Sequence, residues 1–110
     1  MLVRGDSMEV VRLEAGGTVV GLLPEVTYQS ASATMRSGDL LICFTDGISE
    51  AMDLGEEEWG EESMLAAVKK TPNATAEQVL RQVFEAADEF TGEAPQHDDM
   101  TLVIVRALTT

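Results

Sequence analysis

The chain has 110 residues, 45% of them apolar, with a formal net charge of −13 and a single cysteine. That length suits one compact domain and no second, and charge mixed through the apolar sequence argues against disorder. The acidic balance excludes nucleic acid and anionic membrane surfaces as partners, no apolar run approaches the roughly 20 residues that span a bilayer, and the N-terminus has no secretory pattern.

The first third reads as strands. Met8 to Leu13 is β-rich and ends at the turn signal Gly16-Gly17. Thr18 to Leu23 is a second short apolar run, stopped by Pro24. Val26 to Met35 alternates loosely, which suits a bulged or edge strand. Ser37-Gly38-Asp39 is a turn. Leu40 to Thr45 is almost wholly apolar, the pattern of a strand covered on both faces. Cys43 lies inside that run and is expected to be a buried, inert thiol, with no cationic neighbour in sequence to activate it. With one cysteine there is no internal disulfide, and a reducing cytoplasm is the default compartment.

The middle third reads as helices. Glu61 to Lys70 carries Met64, Leu65 and Val68 on one face, ends with two lysines that suit a helix C-terminus, and is stopped by Pro72. Thr75 and Gln78 form a capping box for the next helix. Val79, Leu80, Val83, Phe84, Ala87 and Phe90 then recur at helical spacing until Gly92. Glu56 to Glu58 with Glu61-Glu62 is an acidic, solvated loop and helix start; it lacks the ligand spacing of a calcium loop. Gly92 to Gln96 is a loop, and Met100 to Leu108 is the closing strand.

Two aspartate motifs carry the chemistry. Asp46 follows the apolar run Leu40 to Phe44, and Asp98-Asp99 precedes the run Leu102 to Val105. If those strands are antiparallel neighbours, the two motifs fall on one edge of the sheet. Carboxylates held close repel unless a cation or a proton lies between them. Oxygen-only donors favour Mg²⁺ or Mn²⁺ over zinc. Gly47 would let the chain turn sharply after Asp46 through backbone angles that a side chain opposes. Read bluntly, Asp46-Gly47 is a turn and Asp98-Asp99 a loop cap. Their joint placement at strand ends favours metal. His97 is either a loop residue or a donor to a phosphate.

Gly38-Asp39-Leu40-Leu41-Ile42-Cys43-Phe44-Thr45-Asp46-Gly47-Ile48-Ser49-Glu50-Ala51 resembles a signature of bacterial metal-dependent serine/threonine phosphatases. These are the stage II sporulation E type, relatives of protein phosphatase 2C. Glu58-Trp59-Gly60 resembles their aromatic-glycine step before a helix, and Gln96-His97-Asp98-Asp99-Met100-Thr101-Leu102 their closing motif. The resemblance implies an α+β fold: antiparallel strands with two helices inserted before the last, like the C-terminal part of a four-layer α-β-β-α sandwich. It also implies two Mg²⁺ or Mn²⁺ ions, with a metal-activated water attacking phosphoserine or phosphothreonine directly. Asp46 and Asp98 would be metal ligands and Asp99 a weaker candidate beside them, while Thr45, Gly47 and Glu50 would shape the loop. The resemblance also implies that no side chain acts as a covalent nucleophile. The substrate would be a phosphoprotein such as an anti-sigma-factor antagonist.

The family's domain is about twice as long. Its N-terminal half supplies a bridging aspartate in another Asp-Gly motif and an Ala-Gly-His segment, and neither has a match here. Asp6 falls instead in a hairpin turn. Residues 1–110 therefore resemble the C-terminal part of one phosphatase domain, expected alone to bind metal weakly and to hydrolyse little. Such a part leaves apolar sheet uncovered, and a homodimer through that surface is expected. The competing reading is a non-catalytic regulatory or interaction module that keeps the fold. A haloacid-dehalogenase-type site is excluded, because its nucleophilic aspartate would fall at Phe44.

Overall fold

The computed structural model describes residues 1–13, 24, 25, 27, 30, 32–96 and 98–108. Four strands, β1 (Leu2–Val3), β2 (Val10–Val11), β3 (Leu40–Phe44) and β4 (Leu102–Arg106), form one antiparallel sheet in the order β2-β1-β3-β4. Three helices, α1 (Asp46–Ser49), α2 (Glu61–Val68) and α3 (Ala76–Thr91), lie between β3 and β4 in the chain. The fold is thus α+β, with the helices inserted before the last strand.

The β3–β4 pairing is the spine. Leu40 faces Arg106 at one end of the ladder, and Phe44 faces Leu102 at the other. Because side chains alternate along a strand, Leu40 and Ile42 turn to one face and Leu41 and Cys43 to the other. The first face meets the helices. Val3, Leu40 and Ile42 pack with Met64 and Val68 of α2 and with Val79, Val83 and Ala87 of α3. Ile42, Ile48, Met64, Val79 and Val83 are fully buried. Each such aliphatic side chain contributes about 1.5–3 kcal/mol relative to exposure.

The other face corrects two expectations. Among the described residues β3 is covered on one face only, and Cys43 is exposed rather than buried. On the neighbouring strand Val103 and Val105 are 50% and 44% exposed, so this face carries an apolar surface among the described residues. A run of five apolar residues does not distinguish a strand sandwiched between layers from one whose second face is open.

α3 starts as the sequence predicts. The Thr75 hydroxyl accepts from the Gln78 N–H at 3.2 Å, and the Gln78 side chain accepts from the Thr75 N–H at 2.9 Å. Gly92 closes the helix at φ 58°, a left-handed value that favours glycine. Between α1 and α2, Met52 and Glu58 form an isolated antiparallel bridge. There the Trp59 N–H donates to the Ala51 carbonyl, and the Gly60 N–H to that of Ser49, both at 2.7 Å. Trp59 is thereby seated in the core, and Gly60 begins α2 at φ 85°.

Of the expected strand Val26–Met35, the described residues form none. The Thr34 carbonyl instead accepts from the Arg4 guanidinium at 2.9 Å. The expected strand Thr18–Leu23 falls on residues that include undescribed positions throughout 18–23, and His97 also lies outside the described residues.

Candidate functional site

The antiparallel ladder places the C-terminal end of β3 and the N-terminal end of β4 on the same edge of the sheet. Beyond Phe44 the pairing continues for one residue, with the Thr45 N–H donating to the Thr101 carbonyl at 3.1 Å. The Thr45 side chain then works in both directions. Its hydroxyl donates to the Asp99 carbonyl at 3.2 Å and accepts from the Thr101 N–H at 3.1 Å. One threonine therefore ties the segment after β3 to the segment before β4.

Thr45 is also the residue from which α1 springs, with extended backbone angles of −96° and 159°. Asp46 is the first residue of that short helix, one position past the strand, and its carbonyl accepts from the Glu50 N–H at 2.8 Å. Gly47 follows inside the helix, which corrects the expected reason for glycine there. Its role is close approach and not an unusual backbone angle. A Cβ on Gly47 would collide with the carbonyl of Asp99 and crowd that of Asp98. The two aspartate motifs are pressed together backbone to backbone, and a side chain of any size would part them.

Within the closing motif, the Asp98 carboxylate accepts from the Asp99 N–H at 2.8 Å through one oxygen. That bond orients the carboxylate and leaves its second oxygen available. The Gln96 side-chain amide donates to the Asp98 carbonyl at 2.8 Å, which steadies the loop entering β4. Asp46, Asp98 and Asp99 are all exposed at this edge.

A cavity of about 380 Å³ adjoins the edge. Gly47, Glu50 and Asp98 line it together with Asp88 of α3, and Met52 and Met100 supply apolar wall. Asp46 and Asp99 are not among its lining residues. Glu50 and Asp88 bring two acidic residues to the site beyond the aspartates read as ligands. Glu50 stands out in sequence only as part of the loop after Asp46, and nothing local marks Asp88, an exposed position on a helix 38 residues away.

The donors available here are oxygens, the chemistry that Mg²⁺ and Mn²⁺ prefer. Among the described residues no group of three or more His, Cys, Asp or Glu side chains could hold a metal ion. A pair is nevertheless a workable donor set for Mg²⁺, which commonly binds one or two carboxylates and keeps several waters. The calcium-loop alternative finds no support in the Glu56–Glu58 region. There Asp53 accepts from the N–H groups of Gly55 and Glu57, at 2.9 and 3.0 Å, and so serves a turn. Among the described residues no helix is long and apolar enough to cross a membrane.

Comparison with known proteins bears on this geometry. The family model for stage II sporulation protein E matches residues 1–108. The chain is 30% identical over 105 residues to stage II sporulation protein E of Bacillus subtilis (strain 168), an alignment covering 94% of this chain and 12% of that protein. It is 28% identical over 96 residues to protein IcfG of Synechocystis sp. (strain ATCC 27184 / PCC 6803 / Kazusa), covering 86% of this chain and 15% of that protein. The chain thus spans a small part of the length of either relative. No solved structure matches.

Proposed function

The chain belongs to the stage II sporulation E family of protein phosphatase 2C-like domains, and we propose that it carries one metal-binding edge of a serine/threonine protein phosphatase. The observation that supports this reading is the backbone contact of Gly47 with Asp98-Asp99, locked by the Thr45 hydroxyl. It holds two acidic motifs, distant in sequence, against each other at one end of the sheet.

In this reading Asp46 and Asp98 hold Mg²⁺ or Mn²⁺, with Asp99 in a weaker supporting position. Bound metal would lower the pKa of a coordinated water and neutralise charge on the phosphoryl group being transferred. The chain's own contribution is positional. Thr45 fixes the spacing of the motifs, Gly47 permits their contact, and the Asp99 N–H orients the Asp98 carboxylate. Glu50 closes the short helix that presents Asp46. The substrate class is a phosphoserine or phosphothreonine protein, and by family analogy a signalling regulator such as an anti-sigma-factor antagonist.

The test is Mn²⁺-dependent hydrolysis of a phosphopeptide or p-nitrophenyl phosphate, by this chain and by one extended upstream in its parent sequence. Activity that survives both Asp46→Asn and Asp98→Asn would sink the metal assignment. A second reading is a non-catalytic interaction module that keeps the fold. Its signature is absence of turnover in the extended chain as well. Self-association through the open sheet face belongs to either reading. A monomer at all concentrations in sedimentation would dismiss it.

A further inference from the structure

The end of the sheet away from Asp46 and Asp98 gathers basic residues, two of the arginines paired with carboxylates. Of the seven Lys and Arg residues in the chain, Arg4, Arg36 and Arg106 lie around the turn Ser37-Gly38-Asp39, and Lys69-Lys70 follow α2 into the loop Thr71–Asn73. A cavity of about 250 Å³ opens there, lined by Arg4, Gly38, Val68, Thr71, Asn73 and Arg106 among others. Arg4 is paired with Asp39 at 2.6 Å and Arg36 with Asp6 at 3.9 Å, which leaves Arg106 as the arginine at this end without a carboxylate among the described residues.

The two arginines lining the cavity are differently engaged. Arg4 is committed, donating to the Asp39 carboxylate at 2.6 Å and to the Thr34 carbonyl at 2.9 Å. Asp39 in turn accepts from the Gly5 and Arg36 N–H groups, so its carboxylate is engaged within this turn. Arg106 has no ion-pair partner among the described residues. One terminal nitrogen donates to the Gly38 carbonyl at 2.9 Å, while its Nε–H is buried with no acceptor. A buried donor left unpaired costs about 1–3 kcal/mol, so a ligand that supplied an acceptor here would recover that cost. The unengaged edge of a guanidinium, Nε with the second terminal nitrogen, is the fork that binds oxyanions in a bidentate way.

We propose that this cavity binds a small oxyanion, a phosphate or carboxylate group, through the free edge of Arg106. Asn73 and Thr71 supply polar atoms at its rim, and Arg4, already neutralised by Asp39, acts as a wall. Binding turns the Arg106 guanidinium enough to bring Nε to the ligand while the bond to the Gly38 carbonyl pivots. The site lies at the opposite end of β3 and β4 from Asp46 and Asp98, and it needs neither of them nor a metal.

The probe is inorganic phosphate, titrated without divalent metal into the ¹⁵N-labelled chain at constant ionic strength, with acetate and chloride as parallel arms. The Arg106 Nε–H resonance and the amides of Gly38 and Asn73 should shift saturably with phosphate and not with chloride. Saturation with acetate as well assigns the broader carboxylate-accepting class, and phosphate alone assigns the tetrahedral one. Arg106→Gln should weaken binding roughly tenfold or more. Arg106→Lys, which keeps charge but loses the fork, should fall between. Asp46→Asn with Asp98→Asn should leave binding intact, which separates this site from the phosphatase reading. No saturable shift at the Arg106 Nε–H, a readout that needs no variant, would overturn the proposal. So would equal binding by a folded Arg106→Gln protein.

Discussion

Gly47 sits against the carbonyl of Asp99 with no room for a Cβ between them. Because backbone faces backbone, neither side can yield by rotating a side chain. Gly47→Ala should therefore push the Asp98-Asp99 segment away from α1 and cost about 1–3 kcal/mol, the range for overpacking a tight contact. Urea denaturation measures the cost, and amide shifts at Asp98 and Asp99 report the displacement. Gly92→Ala is the control. It has φ 58° with open space around a Cβ, so it should lose about 1–3 kcal/mol through backbone strain alone and leave those amides unmoved.

Thr45 makes the second tie. Thr45→Val keeps the branched shape but deletes the donor to the Asp99 carbonyl and the acceptor for the Thr101 N–H. The residue is exposed, so water replaces part of what is lost, and the expected cost is about 0.5–1.5 kcal/mol. Faster hydrogen exchange at Thr101 is the specific readout, and Thr45→Ser should restore protection. Unchanged exchange at Thr101 in Thr45→Val would show that the hydroxyl does not hold the two segments together.

Asp39 makes acid stability predictable in sign. The Arg36 and Gly5 N–H groups, followed by the Arg4 guanidinium, lower its pKa from 3.8 to about 2, against the opposing effect of burial. Between those values the unfolded chain binds a proton that the folded chain refuses, so stability rises with pH there. Its contribution is complete above about 3.8 and is lost as pH falls through about 2. Asp39→Asn should lower stability at neutral pH and flatten this acid limb, as measured by urea midpoints from pH 2 to 5.

What was legible in the sequence was what short-range chemistry decides. Thr75, Gln78 and Gly92 mark the ends of α3 because capping is local. The adjacency of Asp46 and Asp98-Asp99 followed from one assumption, that β3 and β4 are antiparallel neighbours. Asp39 was hidden because Ser37-Gly38-Asp39 reads as an ordinary turn. Its partners Arg4 and Gly5 lie more than 30 positions away, and no local pattern announces a carboxylate that is 1% exposed. Gly47 reads in the sequence as a turn glycine, because a sequence marks a glycine without telling crowding from backbone freedom. The open face of β3 was invisible for a similar reason. Whether a second layer covers Leu41 and Cys43 depends on what else packs there.

Adjacent residues on β3 test that one-sided burial directly. Ile42 is fully buried against the helices, whereas Cys43 is exposed on the far face. Ile42→Ala should cost about 2–5 kcal/mol, through lost transfer energy and the cavity left behind. Cys43→Ser, one residue further along the same strand, should fall within about 0.5 kcal/mol of the parent, as surface substitutions do. The native thiol should also react fully with a maleimide in the absence of denaturant, because access and not unfolding governs the reaction. Partnering would change that result in a recognisable way. A second copy laid over Cys43, Val103 and Val105 would slow labelling as protein concentration rises, whereas burial within one chain would slow it equally at every concentration. Labelling that is slow and independent of concentration would contradict the open face.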